Sequence, residues 1–258
     1  MRVIARVVIA AVLVSLGAPV ASAAGPAPAV RWLDVDEPGG EKLRLAVAWP
    51  EGAAPAPVIV VLHGTEGFGE DHVHLAQAYA TAGFVGVAGC WFAGRECPQG
   101  PPFRGVTAEA IGHLRTVLAT AGGLSRVRAD RIGLFGHSRG ATLALLAAGS
   151  GAPVHAIVAS SAQFVPAYTA TRRRVPIDVA PITLVSALHA PVLILHATRD
   201  DQADARGARE YERALRDLGQ PVEAHYYETD THWLAFAPAT RDDVLRRAIA
   251  FFRQYLTL

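Results

Sequence analysis

Arg131-Ile132-Gly133-Leu134-Phe135-Gly136-His137-Ser138-Arg139-Gly140-Ala141-Thr142-Leu143-Ala144-Leu145-Leu146-Ala147-Ala148 is the stretch whose reading decides the fold. Its first five residues form an apolar, strand-like run, and its last eight have the composition of a buried helix. Between them stands G-x-S-x-G, Gly136 to Gly140. Five residues of that pattern are weak evidence alone. Placed between a strand and a helix they become a nucleophile elbow, a sharp turn that lifts a serine hydroxyl clear of a sheet. Ser138 is therefore the candidate nucleophile.

Outward from the elbow, strand-like and helix-like segments alternate. Residues 30–35 and 43–49 read as opening antiparallel strands, joined by a turn at Pro38-Gly39-Gly40. Residues 57–63 are nearly continuous Val, Ile and Leu, as in a strand buried on both faces. Helical spacing follows over 71–82 and 106–121, each ended by glycine. Strands are expected at 84–88, 154–160, 191–196 and 222–227, and helices at 139–149, 206–218 and 241–256. This alternation predicts an α/β fold with a mostly parallel central sheet and helices on both faces. Residues 162–187, with Pro166, Arg172-Arg173-Arg174, Pro176 and Pro181, break the rhythm and read as a short cap or loop over the site. The three arginines have the character of a solvated charge run.

Length and composition bound the rest. The chain has 258 residues, 51% hydrophobic, which suits one α/β domain. Arg2 and Arg6 flank the start of an apolar run over 7–16, followed by Ala21-Ser22-Ala23. These are the marks of a secretory signal peptide over 1–23, leaving a domain over 24–258. The run is short for a bilayer span, so no stable membrane span is expected after cleavage. The expected location is secreted or periplasmic. Loss of Arg2 and Arg6 would take the formal charge from +1 to −1, which disfavours nucleic acid as a partner. Cys90 and Cys97 are the two cysteines. In an oxidising compartment a disulfide between them is the expectation, worth about 2 kcal/mol for so short a loop, with two free thiols as the alternative. Oligomeric state is not readable from the sequence.

A serine hydroxyl needs a base, and the base needs a third group to hold it. In a strand–elbow–helix arrangement these follow as Ser, acid, then His, each after a strand. The acid position after residues 192–195 offers Asp200, Asp201 and Asp204, with Asp200 favoured and Asp204 open to a helix-capping role. His232, in Thr231-His232-Trp233, follows the last strand and is the candidate base, whereas His225 lies within the strand pattern. Oxyanion donors are expected from the amide of Arg139 and from Thr65 and Glu66 in the glycine-rich loop His63-Gly64-Thr65-Glu66-Gly67-Phe68-Gly69. A plain tight turn is the other reading of that loop. His72 and His74 form an H-x-H pair, more simply read as the exposed first turn of a helix than as metal ligands. His137 is expected to pack near the turn. Trp91, Phe92, Trp233 and Phe236 could line an apolar pocket or simply fill core.

Taken together, Val60-Val61-Leu62-His63-Gly64, Leu75 to Phe84, the elbow and Leu195-His196-Ala197-Thr198-Arg199-Asp200-Asp201 resemble the α/β-hydrolase superfamily. The chain is most similar to its dienelactone hydrolase branch, with some likeness to prolyl oligopeptidase catalytic domains. The resemblance covers essentially the whole chain after the leader and implies the α/β-hydrolase fold. It places the first aspartate of the L-H-G-T-x-D-D stretch on Asp200, with Ala197 in place of the usual glycine. Glu66 resembles a family glutamate that sits near the nucleophile. Family members often carry cysteine where this chain has Ser138, and they are largely cytoplasmic. The implied activity is an exported serine hydrolase acting on a small-molecule carboxylic ester, without metal or organic cofactor. A peptidase or thioesterase on the same triad is the alternative, and a non-catalytic hydrolase-fold binding module is a further one.

Overall fold

Seven consecutive buried residues, Ala56–Leu62, form strand β3 at the centre of the sheet. Alternate side chains serve opposite faces: Val58, Val60 and Leu62 enter one core, and Ile59 and Val61 the other. Such a strand needs helices on both sides, which is why its apolar run is unbroken. The computed structural model describes residues 26–37, 40, 42–91, 108–166 and 180–257.

The strands are β1 (Val30–Asp36), β2 (Lys42–Ala48), β3, β4 (Val85–Gly89), β5 (Val127–His137), β6 (Ala156–Ser160), β7 (Val192–Ala197) and β8 (Val222–Tyr227). They lie in the order β1-β2-β4-β3-β5-β6-β7-β8. Pairings β1–β2 and β2–β4 are antiparallel, and all others are parallel. The helices are α1 (Glu70–Thr81), α2 (Ala108–Gly122), α3 (Arg139–Gly149), α4 (Ala205–Asp217) and α5 (Arg241–Leu256). Helices α1 and α5 cover one face through Leu75, Tyr79, Val244, Phe251 and Phe252. Helices α2, α3 and α4 cover the other through Leu114, Leu118, Leu143, Leu146, Tyr211 and Leu215. Each such side chain, fully buried, contributes about 1.5–3 kcal/mol. This is the mostly parallel sheet with helices on both faces that the alternation predicts, and, with its eight strands, the α/β-hydrolase fold that the resemblance implies.

The sequence misses mainly element edges. Strand β5 begins four residues before the expected 131, because Val127 already pairs with Ala56. Arg128 and Asp130 carry no apolar alternation, so the pattern hides this pairing. Of the expected cap, residues 167–179 and their arginines lie outside the described residues. A 3₁₀ helix, Pro181–Ala187, stands where a crossover helix would sit and packs on α3 and α4.

One expectation reaches outside the described residues. Cys97, the second half of the expected Cys90–Cys97 bridge, lies there, and no free cysteine occurs among the described residues. Cys90 itself is buried at the end of β4. Residues 1–23, the expected leader, and Phe92 also lie outside the described residues. Among the described residues, no helix is long and apolar enough to cross a membrane.

Parallel strands bring their carboxyl ends to one edge of the sheet. The segments after β3, β5, β7 and β8 therefore converge there, where open α/β sheets place their sites.

Candidate active site

Ser138 sits between β5 and α3 with φ 51° and ψ −118°, a conformation that strains a side chain other than glycine. Its backbone N–H donates to Ser160 O at 2.8 Å, tying the elbow to β6. The flanking glycines are required by closeness. A Cβ on Gly140 would stand 2.5 Å from Leu62 O and His63 O, and one on Gly136 would collide with the backbone of Ala141. The G-x-S-x-G spacing thus records α3 pressed against β3 and β5.

The Ser138 hydroxyl donates to His232 Nε2 at 2.9 Å. On the far side of the ring, His232 Nδ1–H donates to Asp200 Oδ2 at 2.8 Å, with Oδ1 at 3.0 Å. That contact assigns the proton to Nδ1 and leaves Nε2 as acceptor for the serine. Asp200 is held in turn by the backbone N–H groups of Gln202 and Ala203, each 2.9 Å from Oδ1. Burial raises the Asp200 carboxyl, but the His232 contact and the Ala203 amide outweigh it and hold it below the ordinary carboxylate range. Asp200 and His232 are buried, and Ser138 is half-buried, open to a ligand. This is the catalytic geometry of a serine hydrolase.

The neighbouring candidates separate cleanly. Asp201 is exposed. Asp204 caps α4, accepting from Arg206 N at 2.8 Å and pairing with its guanidinium. His225 stays in β8, 4.0 Å from Asp243 Oδ2. Trp91 is buried, stacked on His63 at 5.0 Å, and donates its indole N–H to His63 O. Trp233 is 40% exposed beside His232. Phe236 is half-buried against His137 and His72. Arg139 is buried at the start of α3, and burial lowers its guanidinium to about 10. Thr65 and Glu66 are half-buried in the loop that passes the nucleophile.

His72 departs from expectation. It is buried, not exposed, with Nε2 3.3 Å from Glu66 Oε1. His74, two residues on, projects from another side of α1 and is exposed, so the pair shares no site. Helical periodicity reports the face a residue takes on its own helix. It does not report a preceding loop folding back over the first turn.

Three other histidines, His63, His137 and His196, lie wholly inside. Burial lowers His63 and His137 to about 3 each, so both are neutral in the fold. Neither ring nitrogen of His137 has a hydrogen-bond partner among the described residues. The unfolded chain binds protons at these positions below about pH 6.5, and the fold resists them until about pH 3. Stability should therefore fall as pH drops through that window, by about 1.4 kcal/mol per pH unit for each histidine. Urea midpoints measured from pH 7 to 4 test this. The slope should be shallower in His137→Leu, and a midpoint independent of pH above 5 would contradict the burial argument.

Comparison with known proteins agrees with this geometry. The sequence profile of the dienelactone hydrolase family matches residues 43–256. Uncharacterized peptidase YtmA of Bacillus subtilis (strain 168) is 28% identical over 141 residues, 47% of this chain and 54% of that protein. The chain thus matches about half the length of that curated relative. Among solved structures, a candidate dienelactone hydrolase from Klebsiella pneumoniae superposes with TM-score 0.72 at 23% identity, over 88% of this chain and 100% of that one. The acylaminoacyl peptidase of Pyrococcus horikoshii gives 0.73 at 18% identity, over 90% of this chain and 42% of that one. Likeness at such identity is likeness of fold.

Proposed function

The chain belongs to the dienelactone hydrolase family, and from that premise we propose that it hydrolyses small-molecule carboxylic esters through an acyl-Ser138 intermediate. The observation that carries this reading is the continuous hydrogen-bonded line Ser138–His232–Asp200. In the proposed reaction His232 Nε2 takes the Ser138 proton as Oγ attacks the ester carbonyl carbon. The resulting imidazolium gives that proton to the departing alkoxide, and the alcohol leaves. Water then attacks the acyl-serine by the same route in reverse, releasing the acid and restoring the hydroxyl. Asp200 holds the Nδ1–H tautomer and stabilises the imidazolium. The amide of Arg139, at the N-terminus of α3, and those of Thr65 and Glu66 are the proposed donors to the oxyanion.

The leader over 1–23 supports a secreted or periplasmic location, with the domain over 24–258 as the mature enzyme. A serine nucleophile acts more readily on an oxygen ester than on an amide, whose leaving group is poorer. A peptidase on the same triad draws support from the YtmA match. Chromogenic esters of graded acyl length, set against a dipeptide amide, distinguish the two. The ester reading expects short or medium esters to be cleaved at least 100-fold faster than the amide. Cleavage of the amide alone would overturn it.

A further inference from the structure

His72 is a buried ionisable residue beside the active site that the triad leaves without a task. Its ring lies among His63, Phe68 and Phe236, with centroids 5.9, 6.0 and 5.2 Å away, which fixes its orientation. The N–H of Gly69, the residue that caps α1, donates to Nδ1 at 3.2 Å. Nδ1 is therefore an acceptor, and the ring proton belongs on Nε2. Nε2 faces Glu66 Oε1 at 3.3 Å, close but out of line for a well-directed hydrogen bond. Glu66 Oε1 also accepts the backbone N–H of Gly64 at 2.7 Å. The point above Gly64 where a Cβ would sit touches Glu66 Oε2 and lies 3.0 Å from Ser138 Cβ. The contacts run unbroken from the first turn of α1, through His72 and Glu66, to the backbone beside the nucleophile.

We propose that His72 is a positioning residue, which holds the Glu66 carboxylate against the Gly64 amide and so fixes the path of residues 64–67 past Ser138. That loop carries two of the proposed oxyanion donors, and a displacement of about 1 Å at such a point can cost 100-fold in rate. Groups facing Glu66 come from three places: His72 on α1, His63 just after β3, and His137 at the elbow. Burial, the largest influence, raises the Glu66 carboxyl. His72 and the Gly64 amide work against it and bring it down to about 2. His137, neutral through burial, adds no full charge, so the loss of His72 leaves burial less opposed and Glu66 moves up.

The kinetic arm of the test rests on the ester-hydrolase reading, while the exchange arm does not. His72→Phe keeps the ring among its aromatic neighbours and removes both nitrogens. His72→Asn keeps an acceptor near Gly69 N–H but has no atom in the place of Nε2, and it serves should the Phe variant not fold. His72→Gln restores an N–H donor toward Glu66. In Phe and Asn, kcat should fall about 10- to 100-fold with KM within about 3-fold. The Gly64 amide should exchange with deuterium at least 10-fold faster. In Gln, kcat and Gly64 exchange should return to within about 3-fold of wild type. Wild-type kcat and Gly64 exchange in a folded Phe or Asn variant would overturn the proposal. So would a kcat loss in Gln equal to that in Phe. A wild type without ester turnover overturns the functional reading instead, and Gly64 exchange then still decides the role of His72.

Discussion

Ser138→Ala should lower ester turnover by about 10⁴- to 10⁶-fold while leaving the protein folded. The variant removes one oxygen that donates at 2.9 Å to His232 and leaves the backbone of the elbow unchanged. Among the described residues, His232 Nε2 holds no other nucleophile. The residual rate would come from the oxyanion donors and from substrate binding, so KM should change far less than kcat. Thermal melting checks the fold, and covalent labelling by a fluorophosphonate checks the chemistry: wild type should label and the variant should not. Unchanged turnover or labelling would remove Ser138 from the mechanism. Absence of labelling in both proteins would favour a hydrolase fold used as a binding module.

Asp200→Asn should cost about 10⁴-fold in kcat by a different route. Asparagine can keep its oxygen on the amides of Gln202 and Ala203, so the local turn survives. Its amide group then faces His232 and favours the tautomer with the proton on Nε2. That proton points at Ser138, and the ring can no longer accept from the hydroxyl. Asp201→Asn is the control: the side chain is exposed, and its loss should leave turnover within about 2-fold and stability within about 0.5 kcal/mol. If Asp201→Asn were the damaging change and Asp200→Asn the silent one, the acid would be misassigned.

How much of the site the sequence makes legible depends on the kind of constraint. Gly136 and Gly140 are legible because backbone contact leaves no room for a side chain, and that requirement is written as a residue type. His232 is legible because the last strand has one histidine in the segment that follows. The acid is only narrowed, since Asp200, Asp201 and Asp204 all lie within seven residues after β7. Their different tasks depend on side-chain direction, which the turn sets and the letters do not. His72 was legible as a helical residue and not as a buried one. The loop that encloses it approaches from outside its own helix, through Glu66 and Phe68.

By itself the sequence determined the order of strands and helices, the serine at the elbow and the family to which the chain belongs. Hydrophobic period and glycine placement are local properties, and the chain carries them openly. Tertiary structure alone decided that Asp200 rather than its neighbours meets His232, that Trp91 is core and that His72 faces Glu66. The first two rest on groups about 30 residues apart being brought within about 3–5 Å by the packing of helices on a parallel sheet, and the third on a loop folding back over the helix it leads into. No periodicity along the chain records a distance of that kind.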